Sequence, residues 1–128
     1  MARQARKNTD PELRLRRRLH AAGARYRIHY PVPGRPRRSI DVAFTRVRLA
    51  VFLDGCFWHG CPLHRTSPRS NADWWSRKIA ANRARDEDTD RHLRELGWTV
   101  QRAWEHDDPD DLAAQVLESL DRLWARLP

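Results

Sequence analysis

A mixed α/β domain, one central sheet flanked by helices, is the architecture this chain predicts, and three observations predict it. Apolar or alternating runs of strand length fall at 26–30, 39–44, 48–53 and 99–103. Stretches with helical spacing and cap signals precede, interrupt and follow those runs. The 128 residues are the length of one domain with a real core, so 1–128 reads as a single domain with a basic arm at 1–8.

Each element has its own justification. Asn8-Thr9-Asp10 before Pro11 is a helix start, with proline in the first turn. Leu13, Leu15, Leu19 and Ala22 give that helix a partly apolar stripe, and Gly23 stops it. Tyr26–Tyr30 alternates and reads as a strand, and Pro31–Pro36 reads as a turn-rich loop. Ser39–Phe44 and Arg48–Leu53 read as two strands joined by a short turn at Thr45-Arg46, a hairpin. Asn71–Leu96 is a long helical run ended by Gly97, with Trp74, Trp75, Ile79, Leu93 and Leu96 as its apolar positions. Thr99–Ala103 is a further short strand. Asp107-Asp108-Pro109 starts a last helix, and Leu112, Val116, Leu117, Leu120 and Leu123 form its amphipathic face.

The net charge is +8, and it is unevenly spread. Residues 1–38 carry twelve Arg or Lys, against Asp10 and Glu12. Residues 104–128 carry seven acids, against Arg122 and Arg126. A basic front half suits a polyanionic partner, with Arg14 on the first helix and Arg35, Arg37 and Arg38 in the following loop as phosphate contacts. No apolar stretch is long enough to span a membrane, and MARQARKNTD lacks the apolar core of a signal peptide, so a cytoplasmic protein is expected.

The stretch Leu49–His64, LAVFLDGCFWHGCPLH, carries most of the chemistry. Its two cysteines, Cys56 and Cys61, are the only ones in the chain. A disulfide between them would close a very small loop and add little. Cys56, Cys61 and His64 suit zinc better, and His106, after the last strand, is the chosen fourth ligand. Phe57 and Trp58 are adjacent, so both cannot easily enter one core, and aromatic wedges can unstack bases.

The acids form a second group. Asp41 sits inside the strand-like SIDVAF, and Asp54 ends the next strand. Pairing of those strands would bring both carboxyls toward one point. Carboxylates at converging strand ends, without a glycine-rich phosphate loop, suit Mg²⁺ and phosphodiester cleavage. His59, five residues after Asp54, is a candidate general acid or base, and Glu12 on the first helix is a further candidate acid.

These residues closely resemble the very-short-patch repair (Vsr-type) endonucleases. The resemblance is carried by P-E-L-x-L-R with G-x-R-Y-R (Pro11–Arg16, Gly23–Arg27), R-x-x-D (Arg38–Asp41) and V-F-L-D-G-C-F-W-H-G-C-P (Val51–Pro62). It continues in W-x-x-K-I-x-x-N-x-x-R-D (Trp75–Asp86) and in L-G-W-T-V with W-E-H (Leu96–Val100, Trp104–His106). It implies a restriction-endonuclease-like, PD-(D/E)xK-related fold with a structural zinc. It also implies a Mg²⁺-dependent nick 5′ to the thymine of a T·G mismatch, as arises by deamination of 5-methylcytosine. By resemblance Asp41 is the metal-binding aspartate, Leu53 the position whose main-chain carbonyl helps bind Mg²⁺, and His59 the catalytic histidine. Glu12 matches the acid of the first helix, and Phe57 and Trp58 match the aromatics that wedge beside the mismatch.

The chain departs from the best-known branch of that family at three places. A histidine stands there in place of Asp54, which makes Asp54 a metal ligand or a partner of His59. The zinc set is re-dressed: Cys61 falls at a histidine position, His106 at a cysteine position, and His64 one place beyond the remaining cysteine. The arm before Thr9 has no counterpart to an apolar residue that helps intercalate. The leading expectation is therefore a monomeric, zinc-stabilised DNA nicking enzyme acting on T·G-mismatched duplexes. A restriction or defence nickase without a mismatch requirement is the alternative. A DNA-binding zinc module that has lost catalysis is a third reading.

Overall fold

A computed structural model describes residues 9–55 and 72–127. In chain order the elements are α1 (Asp10–Ala21), β1 (Arg27–Val32), β2 (Arg35–Phe44), β3 (Leu49–Asp54), α2 (Ala72–Glu95), β4 (Thr99–Trp104) and α3 (Pro109–Ala125). The strands form one four-stranded sheet in the order β1-β2-β3-β4. β1, β2 and β3 run antiparallel in turn, and β4 lies parallel to β3. A parallel neighbour needs a long crossover, and α2 lies within it.

Two hydrophobic layers hold the helices to the sheet. On one face Leu15 and Leu19 of α1 and Leu112, Val116 and Leu120 of α3 pack on Val42, Leu49 and Val51. On the other, Leu93 of α2 and Trp98 pack on Ala43, Ala50 and Phe52. β3 shows why: Leu49 and Val51 serve the first layer and Ala50 and Phe52 the second, the alternation a pleated strand buried on both faces imposes. Truncating Leu15 or Leu49, each fully buried, to alanine costs about 2–5 kcal/mol.

The helix ends follow their sequence signals. Thr9 stands at the N-cap position of α1 without a side-chain capping hydrogen bond, with Pro11 in the first turn, and the Asp108 side chain accepts from the Asp110 N–H at the start of α3. α2 closes with the Gly97 N–H donating to the Arg94 carbonyl and the Trp98 N–H to that of Leu93, at 3.0 and 2.9 Å. Gly97 has φ +90, which glycine adopts without the steric penalty of a Cβ.

Three expectations differ from the structure. Pro31–Pro36 is not a loop: β1 runs to Val32 and β2 begins at Arg35. Only Pro33 and Gly34 turn, with proline at the first central position and Gly34 (φ +82) at the second. The strand prolines are tolerated because β1 is an edge, and β3 pairs only with the far end of β2, Val42–Phe44. The turn is tied to α2 by His92, whose Nε2 donates to the Pro33 carbonyl at 2.5 Å. Trp74 is half exposed and Leu96 is 42% exposed, so neither packs against the sheet as the helical spacing suggested, whereas Ile79 and Leu93 are buried. The side chain of Trp75 lies outside the described residues. Among the described residues no helix is long and apolar enough to cross a membrane.

Candidate active site

The parallel strands β3 and β4 end together at Asp54 and Trp104. Beyond those carboxyl ends opens a cavity of about 330 Å³, lined by Asp41, Asp54 and Glu105 from the sheet side and by Asn82, Arg85 and Asp86 of α2. Ligand sites favour the carboxyl ends of parallel strands, where chain ends diverge and leave room.

Asp41 reaches this cavity because β2 pairs with β3 in the register Val42 to Val51. Its Oδ2 accepts from the Leu53 N–H at 2.8 Å. Burial, outweighing that hydrogen bond, pushes its pKa up to about 7, and the nearby Glu12 and Asp54 carboxylates push the same way. A carboxyl so crowded by like charge is a place where a cation restores the ionised form. The strands thus bring Asp41 and Asp54 to one cavity, as expected from the sequence. Asp54, however, is committed to an ion pair with Arg102 Nη1 at 2.8 Å.

Arg102, on β4, is the hub of this acidic cluster. Its Nε donates to both Asp90 oxygens at 2.9 Å, and Nη2 lies 3.7 Å from Asp86. Its guanidinium also sits 4.2 Å from the centre of the Phe52 ring. Burial, the largest influence, opposes its charge, but the hydrogen bond to Asp90 and the charges of Asp54 and Asp86 outweigh it, so Arg102 titrates above its ordinary range.

Glu12 is 2% exposed on α1, and its Oε1 lies 3.0 Å from Nε2 of His29. His29 itself lines the cavity. It sits in β1 with φ +47, a left-handed conformation uncommon for non-glycine residues, although Asn, Asp and His are enriched there.

A cationic rim borders the cavity. Arg37 and Arg38 line it, and with Arg35 and Arg85 they also line an adjoining cleft of about 400 Å³. Arg38 is anchored to Asp88 at 2.6 Å and to the Thr89 hydroxyl at 3.0 Å. Hydrogen bonds from Arg38 and then Arg91 hold the Asp88 carboxyl below its usual range. Arg14 is exposed on α1 and is not among the residues lining either opening.

His106 follows β4, where its ring stacks on Trp104 at 6.3 Å, and its Nε2 is 3.7 Å from Asp107. Cys56, Phe57, Trp58, His59, Cys61 and His64 lie outside the described residues. Among the described residues no three His, Cys, Asp or Glu side chains group to hold a metal ion. Around Asp41, one carboxylate with main-chain and water oxygens is the donor set on offer, which suits Mg²⁺, since that ion keeps several waters.

His29, Arg102 and Thr89 are absent from the residues the sequence singled out. Position 29 reads as too far upstream for the zinc set, and its pairing with Glu12 depends on the α1–sheet packing. Arg102 carries only a weak signal, the one charge within the short strand that follows Gly97.

Comparison with known proteins identifies the family. A family model described as DNA mismatch endonuclease Vsr matches residues 1–65. The chain is 39% identical over 120 residues to the type II nicking enzyme V.NaeI of Lentzea aerocolonigenes, covering 92% of this chain and 72% of that one. It is 44% identical over 102 residues to the type II nicking enzyme V.XorIIP of Xanthomonas oryzae pv. oryzae, covering 77% and 71%. To the DNA mismatch endonuclease Vsr of Escherichia coli it is 36% identical over 104 residues, covering 79% and 64%. On these matches, the chain belongs to the Vsr family of DNA endonucleases.

Proposed function

We propose that this DNA endonuclease nicks one strand of duplex DNA by hydrolysis, 5′ to the thymine of a T·G mismatch, as a Mg²⁺-dependent monomer with a structural zinc and a restriction-endonuclease-like (PD-(D/E)xK-related) fold. The observation that carries the reading is Asp41. It is a half-buried acid at the carboxyl ends of β3 and β4, crowded by Glu12 and Asp54 and rimmed by Arg37 and Arg38.

Asp41 and Leu53 would hold the Mg²⁺. When bound, that ion supplies Lewis-acid stabilisation of the phosphate and of the departing oxygen. The protein's own residues do the rest. Arg37 and Arg38 hold the backbone phosphates beside the cavity, with Arg38 oriented by Asp88 and Thr89. Arg35 and Arg14 extend that basic surface. Arg102 offsets part of the charge of Asp54, Asp86 and Asp90, which lowers the repulsion a phosphate would meet. Asp54 then shapes the field at Asp41 through charge, from a position fixed by Arg102. His59 manages a proton, and Phe57 and Trp58 wedge into the base stack. Zinc on Cys56, Cys61, His64 and His106 would brace the segment that carries them.

The names of the two nicking-enzyme relatives favour a second reading, a nickase of a specific matched or modified sequence. A strand-resolved assay separates the two. End-labelled duplexes carry T·G or C·G in several flanking contexts, with Mg²⁺ present. A nick confined to the thymine strand of the mismatched duplex is the expected result. Equal nicking of the C·G duplex would refute the mismatch requirement and leave the second reading.

A further inference from the structure

We propose that His29, held by Glu12, is a catalytic residue of the nicking reaction, the base that takes a proton from the attacking water. The inference rests on the nicking activity proposed above. Three observations carry it.

The first is the backbone. His29 has φ +47 within β1, although its strand neighbours Ile28 and Tyr30 pair regularly with Val42 and Ile40. Such conformations cluster at active sites and ligand clamps, and histidine is one of the few non-glycine residues that adopt this one readily.

The second is the ring. Nε2 lies 3.0 Å from Oε1 of Glu12, across 17 residues of sequence. A carboxylate only accepts, so Nε2 carries the hydrogen and donates it. Nδ1 then keeps its lone pair, and the tautomer is fixed. This is the arrangement by which a buried carboxylate orients a catalytic imidazole and stabilises the imidazolium that forms. Glu12, at 2% exposed, suits that role because water does not compete for its oxygen.

The third is position. The pairs Ile28–Val42 and Tyr30–Ile40 flank His29 and Asp41 on the two strands, and both line the same cavity. A base on one strand and a metal-binding candidate on the next would flank one phosphate from two sides.

The step balances. The water oxygen bonds to phosphorus while Nδ1 of His29 takes one of the water's protons. The bond from phosphorus to the departing sugar oxygen breaks, and its electron pair leaves with that oxygen, which is protonated as it leaves; that second proton is the one assigned to His59 above. The imidazolium, held by Glu12, returns its proton to solvent.

The test uses the full chain and the variant His29→Gly, chosen because glycine is at ease at φ +47. Single-turnover nicking of a T·G duplex with Mg²⁺, DNA affinity and thermal midpoint are measured side by side, with and without added imidazole. The expected result is a fall of about 100-fold or more in rate, with affinity changed by less than about threefold and no loss of thermal midpoint. Added imidazole restores a large part of the rate, which a merely structural histidine would not allow. Nicking within about threefold of wild type would overturn the proposal. So would a slow variant that imidazole leaves unchanged, or one whose lost rate matches its lost affinity. If the wild-type protein nicks neither duplex, the nicking reading itself falls, and this inference with it.

Discussion

Replacing Asp41 by asparagine stabilises the metal-free protein at neutral and alkaline pH and abolishes nicking. The carboxyl is pushed up to about 7 from 3.8, first by burial and then by Glu12 and Asp54. A rise of about three pH units corresponds to about 4 kcal/mol at 1.36 kcal/mol per unit, to order of magnitude. The sign follows from proton counting. Between about pH 4 and pH 7 the unfolded chain has released the Asp41 proton while the folded chain keeps it, so this group makes stability fall as pH rises. Above about pH 7 both states are ionised and the full penalty is present. Asparagine has no charge to bury, and its side-chain oxygen can still accept from the Leu53 N–H. Urea denaturation of both proteins in magnesium-free buffer should therefore show a gap near zero at about pH 4 that widens to about 2–4 kcal/mol in favour of Asp41→Asn at about pH 8. Added Mg²⁺ should stabilise the wild type, by about 2.7 kcal/mol at a hundredfold excess over Kd, and leave the variant unmoved. A variant no more stable than wild type at pH 8, or a gap independent of pH, would refute the electrostatic reasoning.

Other predictions concern the surroundings of that acid. Arg102→Met strands Asp54, Asp86 and Asp90 and should destabilise the fold by about 3–5 kcal/mol in chemical denaturation, with Asp90→Asn restoring part of the loss. An unchanged midpoint would count against Arg102 as the hub. Arg37→Ala should weaken DNA binding about equally for mismatched and matched duplexes and reduce the salt slope of binding by about one. A loss confined to the mismatched duplex would instead make Arg37 a base reader. Metal analysis of the purified protein should find zinc at about one per chain, reduced in Cys56→Ser, as a tetrahedral structural site requires. A folded protein free of zinc would contradict the proposed ligand set.

How far the sequence can be read depends on the range of the interaction concerned. Helix ends were legible because their signals are local: Thr9 before Pro11, Asp108 before Pro109, and Gly97 after the last turn of α2. The strand centres were legible from alternation. The β1–β2 turn is shorter than the sequence suggests, because three prolines in six residues, 31–36, read as a loop. Only the sheet order reveals that Pro31 lies in an edge strand and that Pro36 lies in the part of β2 that β3 does not pair with. Trp74 looked like core because helical spacing gives a face without saying whether the sheet extends far enough to cover it. At the site, Asp41, Asp54 and Glu12 are visible as acids in strands and helix; the structure brings Asp41 and Asp54 to one cavity and sets Glu12 behind it, against the cavity-lining His29. The partners that set their chemistry were not visible. Arg102 is 48 residues from Asp54, and His29 is 17 from Glu12, and nothing in a single sequence couples such positions.

Asp41 is the point on which the account turns, and one comparison tests it most directly. Wild type and Asp41→Asn are mixed with an end-labelled T·G duplex and Mg²⁺, and the nick in the thymine strand is followed alongside DNA affinity. The account predicts that the variant binds the duplex as tightly as wild type and leaves the strand intact. A variant that still nicks the thymine strand at a rate comparable to wild type would contradict it.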